Sequence, residues 1–237
     1  MEPPPARLVT CEHGGNAIPA RYRHLFRDCD ALLASHRGYD PGALGMANAL
    51  TRALDATLVA STTSRLLVEL NRSPGRQFRQ SPVMRRAPAS VRAQVTDECY
   101  VPYRREVETF VRDACANGQR VLHVSSHSFT PVLDTVERRG DVGLLYDPSR
   151  RRERELCIRW QRALRIALPA LVVRRNYPYL GRSDGLTAWL RKRFAGDVYV
   201  GVELEVNQRH VTASGSFPKA LEQAMAQALV TAIGACG

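Results

Sequence analysis

Two histidines in this chain each follow a short apolar run. His13 comes after the run at residues 7–12, and His127 comes after the run at residues 121–126. Runs of this length are typical of buried β-strands. If the two strands are neighbours in one sheet, both imidazoles meet at the same edge, although they are far apart in the chain. Open α/β sheets bind ligands beyond the carboxyl ends of their strands, so this pair indicates a metal site.

Each candidate near this edge also has a plainer interpretation. His13 precedes two glycines, and a histidine in such a turn often bonds only to backbone. Asp40 lies just before a predicted helix, where it is well placed as the N-cap. A carboxylate held there could also be a third metal ligand, and the two roles are compatible.

The run from Val198 to Asn207 alternates between two kinds of residue. Its valines and Leu204 fall on one face, while Glu203 and Glu205 fall on the other. If this strand is central, at least one glutamate is buried and paired, as expected of a general base beside a metal or a cation. The alternative is a strand at the sheet edge with a solvated polar face.

Arginines flank another predicted strand, at residues 65–70. Arg65 stands at its start, and Asn71 and Arg72 follow its end. A guanidinium group can grip a carboxylate with two hydrogen bonds or stabilise an oxyanion. Surface charge is the other interpretation, because arginine is abundant in this chain.

The elements that must position these residues alternate between strand and helix, which predicts a single layered α/β domain over residues 1–237 with a largely parallel sheet. The predicted strands are residues 7–12, 57–60, 65–70, 121–126, 142–145, 171–174 and 198–206. The predicted helices are residues 41–54 and 97–116, one that starts near Asp184 and runs to Arg193, and one from Pro218 to Ile233. The proline- and arginine-rich segment 73–92 is predicted to be a long loop, either a lid or a mobile insertion.

Composition narrows the class of protein. Hydrophobic residues make up 44% of the 237 residues and charged residues 24%, which is typical of a globular domain. The net charge of +11 comes largely from arginines in 76–92 and 150–165, without a zinc-finger or RNA-binding signature, so we expect a basic surface rather than a specific nucleic-acid site. The six cysteines form no CxxC pair and are expected to be reduced. We expect a cytoplasmic protein, with neither a membrane span nor a signal peptide.

Taken together and in order, these clusters resemble the N-formylglutamate amidohydrolase family, zinc hydrolases related in fold to zinc carboxypeptidases and aspartoacylases. The resemblance covers nearly the whole chain and rests on an ordered set of short motifs. These are Glu12-His13-Gly14-Gly15-Asn16, Gly38-Tyr39-Asp40, Ser64-Arg65-Leu66, Leu70-Asn71-Arg72, Ser126-His127-Ser128, Asn176-Tyr177-Pro178-Tyr179 and Glu203-Leu204-Glu205-Val206-Asn207. The resemblance implies a three-layer α/β/α fold with a mostly parallel, mixed central sheet of the phosphorylase/hydrolase type.

The resemblance also implies a metal centre in which His13 and His127 bind one Zn²⁺ ion, although two histidines and a carboxylate would also accept another divalent ion. Related enzymes take the third ligand from a His-x-x-Glu motif, whereas Asn16 stands at that position here. We therefore predict Asp40 as the third ligand, with Glu12 as the fallback.

Further roles follow from the same resemblance. Asn71 and Arg72 are expected to hold a substrate carboxylate, and Arg65 to support the oxyanion. Glu205 is the expected general base, with Glu203 as its nearest competitor. The loop from Asn176 to Tyr179, together with Arg182, is expected to contribute to the substrate pocket.

The predicted function is a zinc-dependent amidohydrolase that cleaves a small anionic N-acyl amino acid such as N-formylglutamate. Two alternatives keep the fold: hydrolysis of another N-acyl amino acid or short peptide, and a non-catalytic basic binding protein. A cysteine hydrolase built on Cys11 is a weaker possibility, because neighbouring strand residues point to opposite faces and would separate Cys11 from Glu12.

Overall fold

A computed structural model describes residues 4–75 and 80–234 of the chain, and its centre is a six-stranded mixed sheet. The strands of this sheet are β1 (Ala6–Cys11), β2 (Thr57–Ala60), β3 (Val121–Phe129), β6 (Val142–Leu145), β7 (Val173–Arg175) and β8 (Tyr199–Asn207), and a separate hairpin pairs β4 (Val132–Leu133) with β5 (Val136–Glu137). The strand order in the sheet is β2-β1-β3-β8-β6-β7, and every neighbouring pair is parallel except β6 with β8.

Helices cover both faces of the sheet. The helices are α1 (Asp30–Ala34), α2 (Ala43–Leu54), α3 (Pro82–Arg86), α4 (Ala89–Val95), α5 (Val101–Ala116), α6 (Arg151–Ala167), α7 (Leu186–Arg191) and α8 (Lys219–Gly234). One apolar cluster joins α2, α6 and α8 to one face of the sheet, and a second joins α5 and α7 to the other face. The fold is therefore the predicted three-layer α/β domain. Within the described ranges, none of the helices has the length and apolar character needed to cross a bilayer.

Strand register places polar residues of two neighbouring strands on one face. His127 of β3 is paired with Glu205 of β8, and Glu205 is paired with Gly143 of β6. The predicted alternation of β8 is confirmed, since Val202, Leu204 and Val206 join the opposite apolar cluster. β8 lies between β3 and β6, so its glutamates are in the middle of the sheet rather than at its edge.

The predicted strand at residues 65–70 is wrong, because this segment forms turns. The Ser64 carbonyl accepts the N–H groups of Leu67 and Val68, and the Ser64 hydroxyl accepts the N–H of Leu66. The leucines here are buried against α5 rather than in the sheet. An apolar run thus marked burial correctly but did not distinguish a strand from a packed turn.

Two further predictions need correction. The segment 73–92 is not one long loop, since α3 and the start of α4 lie in it; residues 76–79 of this segment are outside the described residues. The arginines of residues 150–165 predict only a charged surface, whereas this segment forms most of helix α6. Its buried residues Glu153, Leu156, Cys157, Trp160 and Leu164 nevertheless follow a helical spacing that the sequence shows.

Candidate metal centre and active site

His13, Asp40 and His127 come together at the carboxyl ends of β1 and β3. Each offers one ligand atom, and the three atoms lie within 4.8 Å of one another. Asp40 Oδ2 is 3.2 Å from His13 Nδ1 and 2.9 Å from His127 Nδ1. All three residues are buried. Two imidazole nitrogens and one carboxylate oxygen fit a divalent transition metal such as zinc.

Each imidazole also pairs with a carboxylate of its own, through the nitrogen that does not face Asp40. His13 Nε2 donates to Glu69 Oε1 at 2.5 Å, and His127 Nε2 donates to Glu12 Oε2 at 2.9 Å. Histidines that bind a metal usually donate their other N–H to a carboxylate or a carbonyl, which fixes the tautomer and the ring orientation. Both imidazoles are therefore arranged so that their Nδ1 atoms face Asp40.

The Glu12 carboxylate pairs with the His127 nitrogen that does not face Asp40. Its carboxylate also accepts hydrogen bonds from the hydroxyls of Ser125, at 2.6 Å, and Tyr103, at 2.9 Å. Glu12 is not part of the group that could hold a metal ion, which contains Asp40 instead. Asn16 is exposed and donates to the carbonyl of Leu33, away from this group.

Electrostatics favour ionised carboxylates and charged imidazoles in this cluster. Burial opposes the charged form of Asp40, but the charge of His13 and the hydrogen bond from His127 outweigh it and hold the pKa well below its usual range. Burial also opposes protonation of His127, yet hydrogen bonds to Asp40 and Glu12 hold the pKa of this imidazole well above 6.5. A metal that binds here must displace protons from such imidazoles.

Asp40 reaches the cluster through a turn, not as the predicted N-cap of α2. The N-cap is Gly42, whose φ of 82° favours glycine. The Asp40 backbone N–H donates to the carbonyl of His13 at 2.9 Å, which ties the two candidate ligands together. The Asp40 carboxylate is thereby free of helix capping and turns toward the two histidines.

Arg65 lies beside the carboxylates of Glu69 and Asp40. Its Nε and Nη2 donate to Glu69 Oε2 at 3.0 and 2.6 Å, and its Nη1 donates to Asp40 Oδ1 at 3.2 Å. Burial lowers the pKa of an arginine, but the charges of Glu69 and Asp40 outweigh it and raise the pKa of Arg65. Two carboxylates therefore neutralise this guanidinium in the free protein.

Glu205 faces the metal group from β8. It is 6% exposed, and its Oε2 is buried without a hydrogen bond to any described residue. Burial, partly offset by the charge of His127 and reinforced by Asp40 and Glu203, raises the pKa of Glu205 to about 7. A carboxyl group with a pKa near neutrality suits proton transfer at physiological pH.

A cavity of about 570 Å³ opens in front of these groups. It has the size of a small-molecule site. Its wall consists of His13, Asp40, Arg65, Glu69, Asn71, Arg72, His127, Ser128, Leu145, Tyr179, Leu180, Ser183, Asp184, Glu203 and Glu205. Thus nine of the eleven predicted site residues line one cavity.

Asn71 and Arg72 are anchored to the segment before α7. Asn71 Oδ1 accepts the N–H of Leu186 at 2.7 Å, and Arg72 Nη1 donates to the carbonyl of Asp184. Both residues line the cavity, and Asn71 Nδ2 lies 3.4 Å from His127 Nε2.

Asn176 and Arg182 do not line the cavity, contrary to the prediction. The Asn176 side chain accepts the N–H groups of Tyr146 and Gly181, so it stabilises its own loop at a φ of 51°. Arg182 is exposed. Tyr179 is on the wall as predicted, and its hydroxyl accepts a hydrogen bond from Arg138 at 3.0 Å.

The sequence interpretation missed Glu69 and Asp184 as members of the site. Glu69 lies between Arg65 and Asn71 in a run whose pattern predicts a strand, and nothing in that pattern distinguishes its carboxylate as a site residue.

Cys11 belongs to the apolar cluster beneath α2, and burial raises the pKa of its thiol well above its usual range. The cysteine-hydrolase alternative therefore lacks a reactive thiolate. Five cysteines are free thiols; Cys236 is outside the described residues.

A mostly parallel α/β sheet with a buried His–Asp–His group and an adjacent glutamate at its strand ends has the architecture of a metal-dependent hydrolase. The family model for N-formylglutamate amidohydrolase matches residues 6–212. The chain belongs to this family of hydrolases. No relative with a curated description matches it in sequence.

Two of the solved structures to which this chain is similar share its fold. The gene product Atu2144 from Agrobacterium tumefaciens is 29% identical with a TM-score of 0.77, over 95% of this chain and 91% of that one. An N-formylglutamate amidohydrolase from Ralstonia eutropha JMP134 is 18% identical with a TM-score of 0.67, over 98% of this chain and 93% of that one. A metallo-carboxypeptidase from Burkholderia cenocepacia is 13% identical with a TM-score of 0.45, over 99% of this chain and 58% of that one.

Proposed function

We propose that this protein is a zinc-dependent amidohydrolase that removes the formyl group, or a similarly small acyl group, from an N-acyl amino acid. The observation that carries the proposal is the buried group of His13, Asp40 and His127, which opens into the same cavity as Glu205. Membership of the N-formylglutamate amidohydrolase family supports the reaction class.

His13, Asp40 and His127 would hold the metal. When bound, the ion supplies a water of lowered pKa and polarises the carbonyl oxygen of the scissile amide. Glu69 and Glu12 keep the two imidazoles in the required tautomer and orientation.

Glu205 is the proposed general base. Its carboxylate faces the metal group from the neighbouring strand, and a pKa of about 7 leaves it able both to accept and to return a proton. It takes a proton from the attacking water and delivers a proton to the leaving nitrogen, so that the products are a carboxylic acid and a free amine.

Arg72 and Asn71 are proposed to bind the substrate carboxylate. Arg72 lines the cavity and forms no ion pair with any residue in the described ranges, so its guanidinium can accept an anionic partner. Arg65, held by Glu69 and Asp40, has one further hydrogen on each terminal nitrogen and is proposed to stabilise charge on the carbonyl oxygen.

Two measurements test this function. Protein purified without added metal should contain about one zinc ion per chain, and a folded His127→Ala variant should lose it. His210→Ala is the matched control, because His210 also pairs with a carboxylate, Asp141, but lies outside the cavity. Metal retained by His127→Ala, or absent from zinc-supplied wild type, would contradict the metal centre.

The second measurement is hydrolysis of N-formyl amino acids. Glu205→Gln should lower kcat by about 10²- to 10⁴-fold, which is the usual contribution of a general base. It should leave the metal content unchanged, because Glu205 is not in the metal-binding group. Undiminished hydrolysis by this variant would remove Glu205 from the mechanism, and a zinc-loaded wild type without hydrolysis would favour a binding role.

A further inference from the structure

The cavity wall has an unusual balance of charge. Within the described ranges its arginines are Arg65 and Arg72, and Arg65 is already held by two carboxylates. Arg138 reaches the wall only through the hydroxyl of Tyr179. This part of the chain therefore offers one arginine, Arg72, for a substrate carboxylate.

Acidic groups on the same wall are more numerous. Glu203, Glu205 and Asp184 all line the cavity, and none of them forms an ion pair with a residue that the structure describes. Glu205 is committed to proton transfer in the proposed reaction. Asp184 accepts the backbone N–H of Ser73 at 3.2 Å. This leaves Glu203 as an acid of the inner wall that the proposed reaction does not use.

Glu203 is built into the wall with one oxygen engaged and one available. It is 8% exposed, and its Oε1 accepts the hydroxyl of Thr187 at 2.5 Å. Its Oε2 makes no hydrogen bond to the described residues and is not fully buried. A carboxylate oxygen on a cavity wall that has no protein donor can accept a hydrogen bond from a ligand.

Gly185 lies close to both Glu203 and Asn71. A Cβ added at Gly185 would lie 3.0 Å from Glu203 Oε1 and 3.3 Å from Asn71 Oδ1. Glu203 therefore lies close to the Asn71 and Arg72 pair that is proposed to hold the substrate carboxylate. A side chain on the amino acid that is bound there would extend along a wall that contains Glu203.

We infer that Glu203 selects an N-acyl amino acid whose side chain ends in a cationic hydrogen-bond donor, in preference to one that ends in a second carboxylate. This inference rests on the proposed function and specifies its substrate class. An ammonium group supplies the missing donor to Oε2 and compensates the charge of Glu203. A second carboxylate would instead face Glu203 and Asp184, with no further arginine on the described wall to pair with it.

The expected preference is about 10- to 100-fold in affinity, the range of one charge-assisted hydrogen bond. The experiment uses the zinc-loaded Glu205→Gln variant, which should bind substrates without consuming them. N-formyl-lysine, N-formylglutamate and the neutral N-formylnorleucine are titrated calorimetrically against it. The same titrations are repeated after Glu203→Gln is added, and after Glu155→Gln as a control at an acid of α6 outside the cavity.

N-formyl-lysine should bind most tightly, and Glu203→Gln should abolish its advantage over N-formylnorleucine while Glu155→Gln preserves it. Equal or tighter binding of N-formylglutamate, or a lysine preference that survives Glu203→Gln, overturns the inference. Hydrolysis by the wild type is measured in parallel. Hydrolysis with a glutamate preference refutes only the inference, whereas a Glu203-dependent lysine preference without hydrolysis supports the inference and refutes the proposed function.

Discussion

Acid should destabilise this protein through His123, a histidine buried in the middle of the sheet. Its Nε2 contacts the hydroxyl of Thr10 at 2.8 Å, and its Nδ1 contacts the hydroxyl of Tyr199 at 2.7 Å. Burial lowers the pKa of His123 from 6.5 to about 4, because the buried ring is shielded from the water that would stabilise its charged form.

The sign and size follow from linkage. Above pH 6.5 the ring is neutral in both the folded and the unfolded chain, so it contributes no pH dependence. Between pH 6.5 and about 4 the unfolded chain binds a proton that the folded chain does not, and the free energy of unfolding falls as pH falls. At 1.36 kcal/mol for each pH unit, His123 removes about 2 kcal/mol by pH 5 and about 3 kcal/mol by pH 4.

The assay is urea denaturation of metal-free protein at several pH values between 7.5 and 4.5, with wild type and His123→Gln compared at each. Glutamine cannot titrate, so the variant should lose about 2 kcal/mol less than wild type between pH 7.5 and 5, whatever its stability at neutral pH. His24→Gln is the control, because His24 is exposed. Parallel curves for wild type and His123→Gln would refute the reasoning, since they would mean that the buried ring takes up its proton as readily as the unfolded chain.

Two further predictions concern buried carboxylates. Arg191→Met should lower the free energy of unfolding by about 3–5 kcal/mol, because it leaves the fully buried Glu153 without its ion-pair partner at 2.9 Å; a loss below about 1 kcal/mol in urea denaturation would show that Glu153 does not need the arginine. Glu12→Gln should weaken zinc affinity by about 10- to 100-fold, measured by competition with a chelator, because it removes the charge that orients His127, and unchanged affinity would argue against this support.

Local sequence patterns were sufficient for part of this result. The alternation at 198–207 predicted which residues of β8 face the site, because side chains on any strand alternate between two faces. The positions of His13 and His127 after apolar runs predicted that they would meet, and β1 is indeed the neighbour of β3. Both inferences need only the periodicity of a strand and the direction of a parallel sheet.

The partners of each side chain were decided by the tertiary structure. Glu12 follows β1 and was the alternative third ligand in the prediction, yet its carboxylate pairs with Nε2 of His127, while Asp40 pairs with Nδ1. Glu69 sits in a run that resembled a strand, but a turn at Ser64 brings its carboxylate to His13 and Arg65. Asn176 carries a polar amide that could bind a substrate, but its oxygen accepts a hydrogen bond from the backbone of its own loop. The sequence by itself determined most of the predicted residues that line the cavity and the edge of the sheet at which they gather. Which nitrogen, oxygen or guanidinium each one faces depends on contacts between segments far apart in the chain, and these exist only after the layers have packed.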